Sequence, residues 1–340
     1  MSTTKLLDVA RYAGVSPATV SRVLNKTARV NENTRERVLS AIATLGYEPH
    51  AIPQPQQVIQ GSIGLVITDI LNPFFPEIVR GVEDAAGING LTMLLCNTSE
   101  DPQRETQALK ALIRRNVDGI IVCASRIAEN DLIALHEKNK MPLVVINRHL
   151  NNPSIPCIII DFEDAAYRSA QHLLNLNHTH IAYLAGSGSI TPSQARKRGI
   201  EKALQERHLT LRPEWCPVSF PNVEGGFQAM SSLLVQAEKP TAVIAYNDIM
   251  ALGALHAIRK YGLRVPDDIS LIGCDGIAMA SHSNPPLTTI NQPKYRMGQL
   301  AMETLQQIIE GNYVPNSGYT MMESPLIVRE STSLLSRGEY

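Results

Sequence analysis

Polar side chains recur just behind short apolar runs between residues 63 and 275 of this 340-residue chain. Asp69 follows IGLVIT, with Phe74 close behind it. Ser125 and Arg126 follow GIIVC, Asn147 and Arg148 follow LVVI, and Asp161 follows CIII. Asn247 and Asp248 follow VIAY, and Asp275 follows LIGC. Carboxylates, carboxamides and guanidinium groups beside an aromatic face are the set that recognises a polyhydroxylated ring. Each ring hydroxyl both donates and accepts, and one ring face can stack. Chemistry of turnover is not spelled out in the same way. GSGSI, at residues 186–190, is neither a nucleophile elbow nor a phosphate loop with a following GK[ST]. The nine histidines contain no HExxH pair; His178 and His180 read as surface residues beside a strand. Cys96, Cys123, Cys157, Cys216 and Cys274 show no CxxC or Cys/His spacing, which predicts reduced thiols and no metal site.

Each polar position also has a plain structural use. Asp69, Asp161 and Asp248 can cap the helices that follow them, Asn72 can hold the turn before Pro73, and Arg148 can be a solvated charge. Phe75 reads as core, whereas Phe74 can serve as a ligand platform.

A second set of chemistry-bearing residues lies near the N-terminus. Apolar residues at helical spacing (Val9, Ala10, Ala13) break at Gly14, Val15 and Ser16, then resume at Val20, Val23 and Leu24. Gly14 suits a tight corner, Ser16 suits an N-cap, and Pro17 suits the first helical position. The second helix then presents Pro17, Ala18, Ser21, Arg22 and Asn25, which are small or hydrogen-bonding. A helix meant to enter the DNA major groove has this profile, with Pro17, Ala18 and Arg22 choosing base pairs. A third helix follows a cap at Asn31 or Asn33, with Val38, Ile42 and Leu45 buried and Arg35 and Arg37 outward. Net charge supports the division: +3 over residues 1–60 and −4 over the rest, although the whole chain is near neutral.

The elements that must position the first set alternate from residue 63 onward. Strands are expected at 63–68, 91–96, 119–123, 143–146, 158–160, 181–185, 216–218, 242–245 and 269–272. Helices are expected at 76–89, 105–115, 130–138, 165–176, 195–207, 225–235 and 250–261. Continuous β-branched runs predict parallel strands buried on both faces, and a cleft between two similar α/β halves is the default ligand site. Hydrophobic residues at 44% allow large cores. The chain shows neither a signal-like N-terminus nor a run long enough for a membrane span, so a cytoplasmic protein is expected.

The runs VARYAGVSPATVSRVLN and TRERVLSAIATLGYEP resemble the DNA-binding domain of the lactose-repressor/galactose-repressor (LacI/GalR) family. The resemblance continues through NPFF, VDGIIV, NDIMALGAL, VPDDISLIGCDG, PPLTTINQP and LIVRESTS, and so covers essentially the whole chain. It implies an all-α helix-turn-helix head plus an α/β periplasmic-binding-protein-like body of two doubly wound parallel-sheet subdomains. The implied parts are a head at 1–48, a hinge at 49–61, one subdomain from 62–160 plus 292–323, and the other from 161–291 plus 324–340. By the same resemblance Leu6, Ser16, Thr19, Ser21, Asn25, Asn31 and Thr34 contact DNA, chiefly its phosphates. Arg196, Asn247 and Asp275 face a ligand, and Phe220 supplies an aromatic wall; Gln292 is a further candidate. A homodimer on a palindromic double-stranded DNA operator is implied, controlled by a small effector read here as a sugar, with a nucleoside or purine as the alternative. Neither a cofactor nor a metal is implied. The competing classes are a sugar-processing enzyme and a pure sugar-binding module. The hinge departs from the family pattern: Pro53 and Pro55 fall where a helix interior is expected, and Gln56 stands near the usual leucine. An extended hinge with looser half-site spacing is therefore expected.

Overall fold

The computed structural model describes residues 6–25, 30–45, 61–186, 191–315 and 318–335. The expectation for the hinge falls outside the described residues, as do Ser187, Gly188 and Ser189. Two compact units are present, divided at Val58 and Ile59.

In the first unit, α1 (Leu6–Ala13), α2 (Pro17–Asn25) and α3 (Glu32–Leu45) surround Val9, Ala10, Ala13, Val20, Val23, Val38 and Ala41. Gly14 takes a left-handed φ of 65° at the corner between α1 and α2, a region open to glycine at no steric penalty. The Ser16 hydroxyl accepts the Thr19 amide at 3.2 Å and caps α2. At α3 the choice between two caps falls to Asn31, whose carboxamide oxygen accepts the Asn33 amide at 3.0 Å. Arg37 is exposed, as expected, and also has a structural contact. Its guanidinium donates to the carbonyls of Ala13 and Gly14 at 3.1 and 3.4 Å, satisfying the orphan acceptors at the end of α1.

The second unit opens with β1 (Ser62–Ile67), α4 (Phe74–Ile88), β2 (Thr92–Asn97), α5 (Pro102–Arg114), β3 (Gly119–Cys123), α6 (Glu129–Asn139), β4 (Leu143–Ile146) and β5 (Cys157–Ile160). It continues with α7 (Phe162–Asn175), β6 (Ile181–Gly186), α8 (Thr191–Gln205), β7 (Val218–Ser219), α9 (Val223–Leu234), β8 (Ala242–Ala245), α10 (Asp248–Lys260) and β9 (Ser270–Asp275). It closes with α11 (Ala278–His282), β10 (Thr288–Asn291), α12 (Lys294–Ile309), β11 (Tyr319–Met322) and β12 (Leu326–Ile327). The expected strand at 216–218 is shifted, because Pro213–Trp215 forms a 3-10 turn and only Val218 and Ser219 pair with β6.

Two six-stranded sheets result, ordered β11-β5-β4-β3-β1-β2 and β12-β10-β9-β8-β6-β7. All pairings are parallel except β10 with β12. Alternate residues of one strand serve opposite faces. Ile63, Leu65 and Ile67 pack toward α4 and α12, while Val66 packs with Leu109 and Leu132 of α5 and α6. The chain passes from the first sheet to the second between β5 and β6, returns between β10 and β11, and crosses again between β11 and β12.

Helix pairs close through glycines. A Cβ on Gly253 of α10 would lie 2.0 Å from the Val223 carbonyl oxygen of α9, and one on Gly81 of α4 would lie 2.1 Å from the Tyr295 carbonyl oxygen of α12. Backbone cannot give way as a side chain can. Gly253→Ala should therefore destabilise the body by about 3 kcal/mol, the upper end of overpacking penalties. A lowered urea midpoint in the full-length variant checks this.

His178 is not a surface residue: it is 2% exposed. Its Nε2 donates to the Ser333 carbonyl at 3.0 Å and its Nδ1 meets the Thr241 hydroxyl at 3.0 Å, so the ring ties the C-terminal segment to the body. His172 contacts Thr332 in the same way at 3.0 Å. Burial lowers the pKa of both imidazoles below 6.5. Below pH 6.5 the unfolded chain then binds protons more readily than the folded one, so stability is lost as pH falls through that value toward the folded pKa values. Melting temperature should drop on acidification from pH 7 to 5, and with a shallower slope in His178→Asn.

Candidate functional site

The carboxyl ends of both sheets meet around a narrow recess with a cavity volume of about 50 Å³, lined by Asn72, Phe74, Phe75, Glu100, Ala124, Arg126, Asn147, Phe162, Pro192, Arg196, Pro221, Tyr246, Asn247, Asp275 and Gln292. Strand ends converge there because every βα connection leaves its sheet on the same side. Of the expected set, Phe74, Arg126, Asn147, Arg196, Asn247 and Asp275 are brought together, and Gln292 joins them.

Arg196 dominates the second sheet's side. It is 5% exposed, and its guanidinium carbon lies 4.0 Å from the centre of the Phe162 ring and 4.4 Å from that of Tyr246. It donates to the Pro192 carbonyl at 3.1 Å and to Cys274 Sγ at 3.6 Å. Its Nε has no hydrogen-bond partner among the described residues, and neither has Asn147 Oδ1. Two buried polar atoms of opposite sense thus remain to be satisfied at the cleft, one donor and one acceptor.

A polar chain crosses the cleft floor. Asn147 Nδ2 donates to Gln292 Oε1 at 2.9 Å, and Gln292 Nε2 donates to Asp275 Oδ1 at 2.8 Å. Asn147 has a positive φ of 58° and Asp275 one of 140°, so both backbones are held in conformations that side chains normally avoid. Burial, with the Asp248 carboxylate nearby, raises the Asp275 carboxyl well above the usual range against the pull of Arg196 and Lys294. Burial also pushes Asp248 up to about 6, opposed by hydrogen bonds from the Thr289 hydroxyl and the Ile277 amide. The neighbouring Cys274 thiol is pushed up to about 12 by burial, which leaves it a protonated packing group.

Several expected ligand contacts stand elsewhere. Asp161 caps α7, accepting the Glu163 and Asp164 amides at 3.0 and 2.9 Å. Asp69 accepts the Leu71 amide at 3.0 Å within a turn. Ser125 is fully buried and donates to Glu105. Arg148 turns to the carbonyls of Ser125 and Ile127 rather than to the cleft or to bulk water. Phe220 is 44% exposed and is not part of the lining. Asp248 is not a cap either: Asn247 caps α10 by accepting the Met250 amide at 2.9 Å, and Asp248 lies buried beneath.

Glu100, Phe162, Pro192, Pro221 and Tyr246 were not expected in the lining. Glu100 pairs with Arg126 across side chains 12% and 8% exposed. Buried Glu105 in turn accepts the Arg126 amide at 2.6 Å and so fixes the loop that carries this arginine. Glu100 and Tyr246 stand at strand ends, where the rule that found Asn147 also applies. Glu105 lies inside a helix and carries no such signal.

On the head, Pro17, Ala18 and Arg22 lie exposed together on one face of α2, and Ser16 and Thr19 bind each other at its start at 2.9 Å. Only the helical backbone of Ser21 and Asn25 belongs to the described structure. Thr34 is half-buried on α3. The carboxamide oxygen of Asn31 is occupied by its cap. Leu6 is half-buried against the head core.

Among the described residues no cluster of His, Cys, Asp and Glu suits a metal ion, and no helix is long and apolar enough to cross a membrane.

The family described as "Bacterial regulatory proteins, lacI family" matches residues 5–50, and a periplasmic binding protein-like domain matches residues 170–332. The HTH-type transcriptional repressor PurR of Glaesserella parasuis is 41% identical over 336 residues, covering 97% of this chain and 98% of that protein. The lac repressor dimer bound to operator and an anti-inducer is 31% identical with a TM-score of 0.72, covering 98% of this chain and 100% of that one. A complex of the transcriptional regulator CelR with cellobiose is 29% identical with a TM-score of 0.72, covering 96% and 99%.

Proposed function

This chain belongs to the LacI family of bacterial regulatory proteins, as a DNA-binding transcriptional repressor, and on that premise we propose that a small sugar bound in the cleft controls its grip on operator DNA. The observation that carries the sugar reading is the state of Arg196. Its guanidinium already occupies the faces of Phe162 and Tyr246, and Phe74 and Phe75 meet edge to face at 88°. The faces of Phe162 and Tyr246 that Arg196 covers are thereby closed to stacking on a flat base. Arg196 Nε and Asn147 Oδ1 instead ask for an acceptor and a donor, and a ring hydroxyl is both. The similarity to a regulator solved with cellobiose points the same way.

Residues 62–160 with 292–323 form one lobe in this reading, and residues 161–291 with 324–340 the other. The effector contacts both lobes and favours one angle between them. It can change operator affinity only by the difference in its affinity for the two angles. A homodimer on a palindromic site, as in the operator-bound lac repressor dimer, doubles the few base contacts that one α2 offers.

A second reading is a purine effector, favoured by the 41% identity to a repressor named PurR. Thermal melting of the full chain against pentoses, hexoses, disaccharides, nucleosides and purine bases separates the two. A monosaccharide at a hundredfold excess over its dissociation constant should stabilise the fold by about 2.7 kcal/mol. A purine shift in place of a sugar shift would overturn the sugar but keep the effector-controlled repressor. No shift from any compound at millimolar concentration would overturn effector control by these classes.

A further inference from the structure

Lys294 is a buried cation outside the cleft lining that the functional reading has not used. It is the first residue of α12, where the chain leaves the second sheet at β10 for a helix packed on α4 of the first. It is 3% exposed. Its ammonium donates to the carbonyls of Gly276 at 2.8 Å, Asp275 at 3.0 Å and Gln292 at 3.4 Å, and it lies 3.5 Å from Glu77 Oε1 in the first turn of α4. A cation at a helix N-terminus opposes the helix dipole, and burying an ammonium is unfavourable. Lys294 therefore does not serve the stability of α12, and its position calls for another use.

Its contacts supply that use. The carbonyls it gathers belong to the turn in which Asp275 holds its φ of 140° and to Gln292, whose side chain joins Asp275 to Asn147. Lys294 and Glu77 belong to the first lobe, whereas Asp275 and Gly276 belong to the second. We infer that Lys294 is a positioning residue that couples the ligand-bearing turn at Asp275 and Gly276 to α4 through Glu77. A ligand that draws on Asp275 shifts the carbonyls that cradle the ammonium. A change in lobe angle alters its distances to the Asp275 and Gly276 carbonyls, while Glu77 on the packed α4 moves with it. Either movement is felt at the other end, which makes this buried side chain a mechanical link between cleft occupancy and lobe angle. The effector side of this inference rests on the cleft being the effector site; the link itself does not.

Hydrogen–deuterium exchange on the full-length protein tests the link without a ligand. In Lys294→Met, exchange should rise about tenfold both at residues 275–277 and 292 and at the first turn of α4. Glu77 is 47% exposed in its side chain, so Glu77→Gln tests the link in a variant that keeps the core intact. It should raise exchange at residues 275–277 although it touches none of them. Changes confined to the mutated side in both variants would overturn the inference. D-ribose and cellobiose then serve as probes of the coupled response. Where either binds the wild-type protein, Lys294→Met should bind it more weakly and, even at saturating sugar, lose the protection that the sugar confers on α4. Retained protection there would also overturn it. Failure of both sugars to bind the wild-type protein, with the exchange linkage intact, would count against the sugar reading and uphold the link.

Discussion

Replacing Arg196 with methionine is expected to abolish effector control while leaving operator binding in place. Methionine keeps the length and softness needed to fill the slot between Phe162 and Tyr246, so the cleft wall survives. What it lacks is the charged donor whose Nε finds no partner among the described residues. Hydrogen bonds to charged groups contribute about 1.5–3 kcal/mol, which corresponds to roughly ten- to 150-fold in ligand affinity. Effector titration by calorimetry and operator titration by anisotropy, run on the same preparation, check both halves of this expectation. Loss of operator binding in the variant would show that Arg196 acts on the fold rather than on the ligand.

The second large effect is expected at Arg22, on the head. It stands exposed on α2 beside Pro17 and Ala18, which are too small to keep a helix from approaching base edges closely. An arginine placed there can grip guanine through two hydrogen bonds, each such pair being worth about 1–3 kcal/mol of discrimination. A dimer uses it twice, so Arg22→Ala should weaken specific binding by about 2–6 kcal/mol, or roughly 30-fold to more than ten-thousandfold. Binding to unrelated DNA should change far less, because phosphate contacts dominate that term. Comparing the variant on selected and scrambled sites gives the specificity ratio directly. An equal loss on both sites would mark Arg22 as a phosphate contact.

Much of this was legible along the chain because local rules place it. Ser16, Pro17 and Gly14 announce the corner between α1 and α2 through backbone chemistry alone, and the unbroken β-branched runs place the parallel strands. The rule that ligands gather at strand ends found Arg126, Asn147, Asn247 and Asp275. It overreached at Asp161 and Asp69, since the same strand ends need carboxylates for caps and turns, and residue type does not separate the two uses. It missed Glu105, whose role arises only when α5 is laid against the loop after β3. The bond between Asn147 and Gln292 joins residues 145 apart, and Lys294 finds Glu77 only through the packing of α12 on α4. Such pairs carry no local signal, because their chemistry is created by the return of the chain to the first sheet after β10. His178 shows the same gap: its loop reads as surface until the C-terminal segment folds over it.

The measurement that bears most directly on the central claim is an anisotropy titration of the full-length protein on an operator selected from random duplexes, with and without the compound that stabilises it. Effector-controlled repression predicts saturable binding to a two-fold symmetric sequence and a shift of tenfold or more in operator affinity when the compound is present. Binding that ignores sequence, or an affinity for the selected site that stays the same at saturating compound, would contradict it.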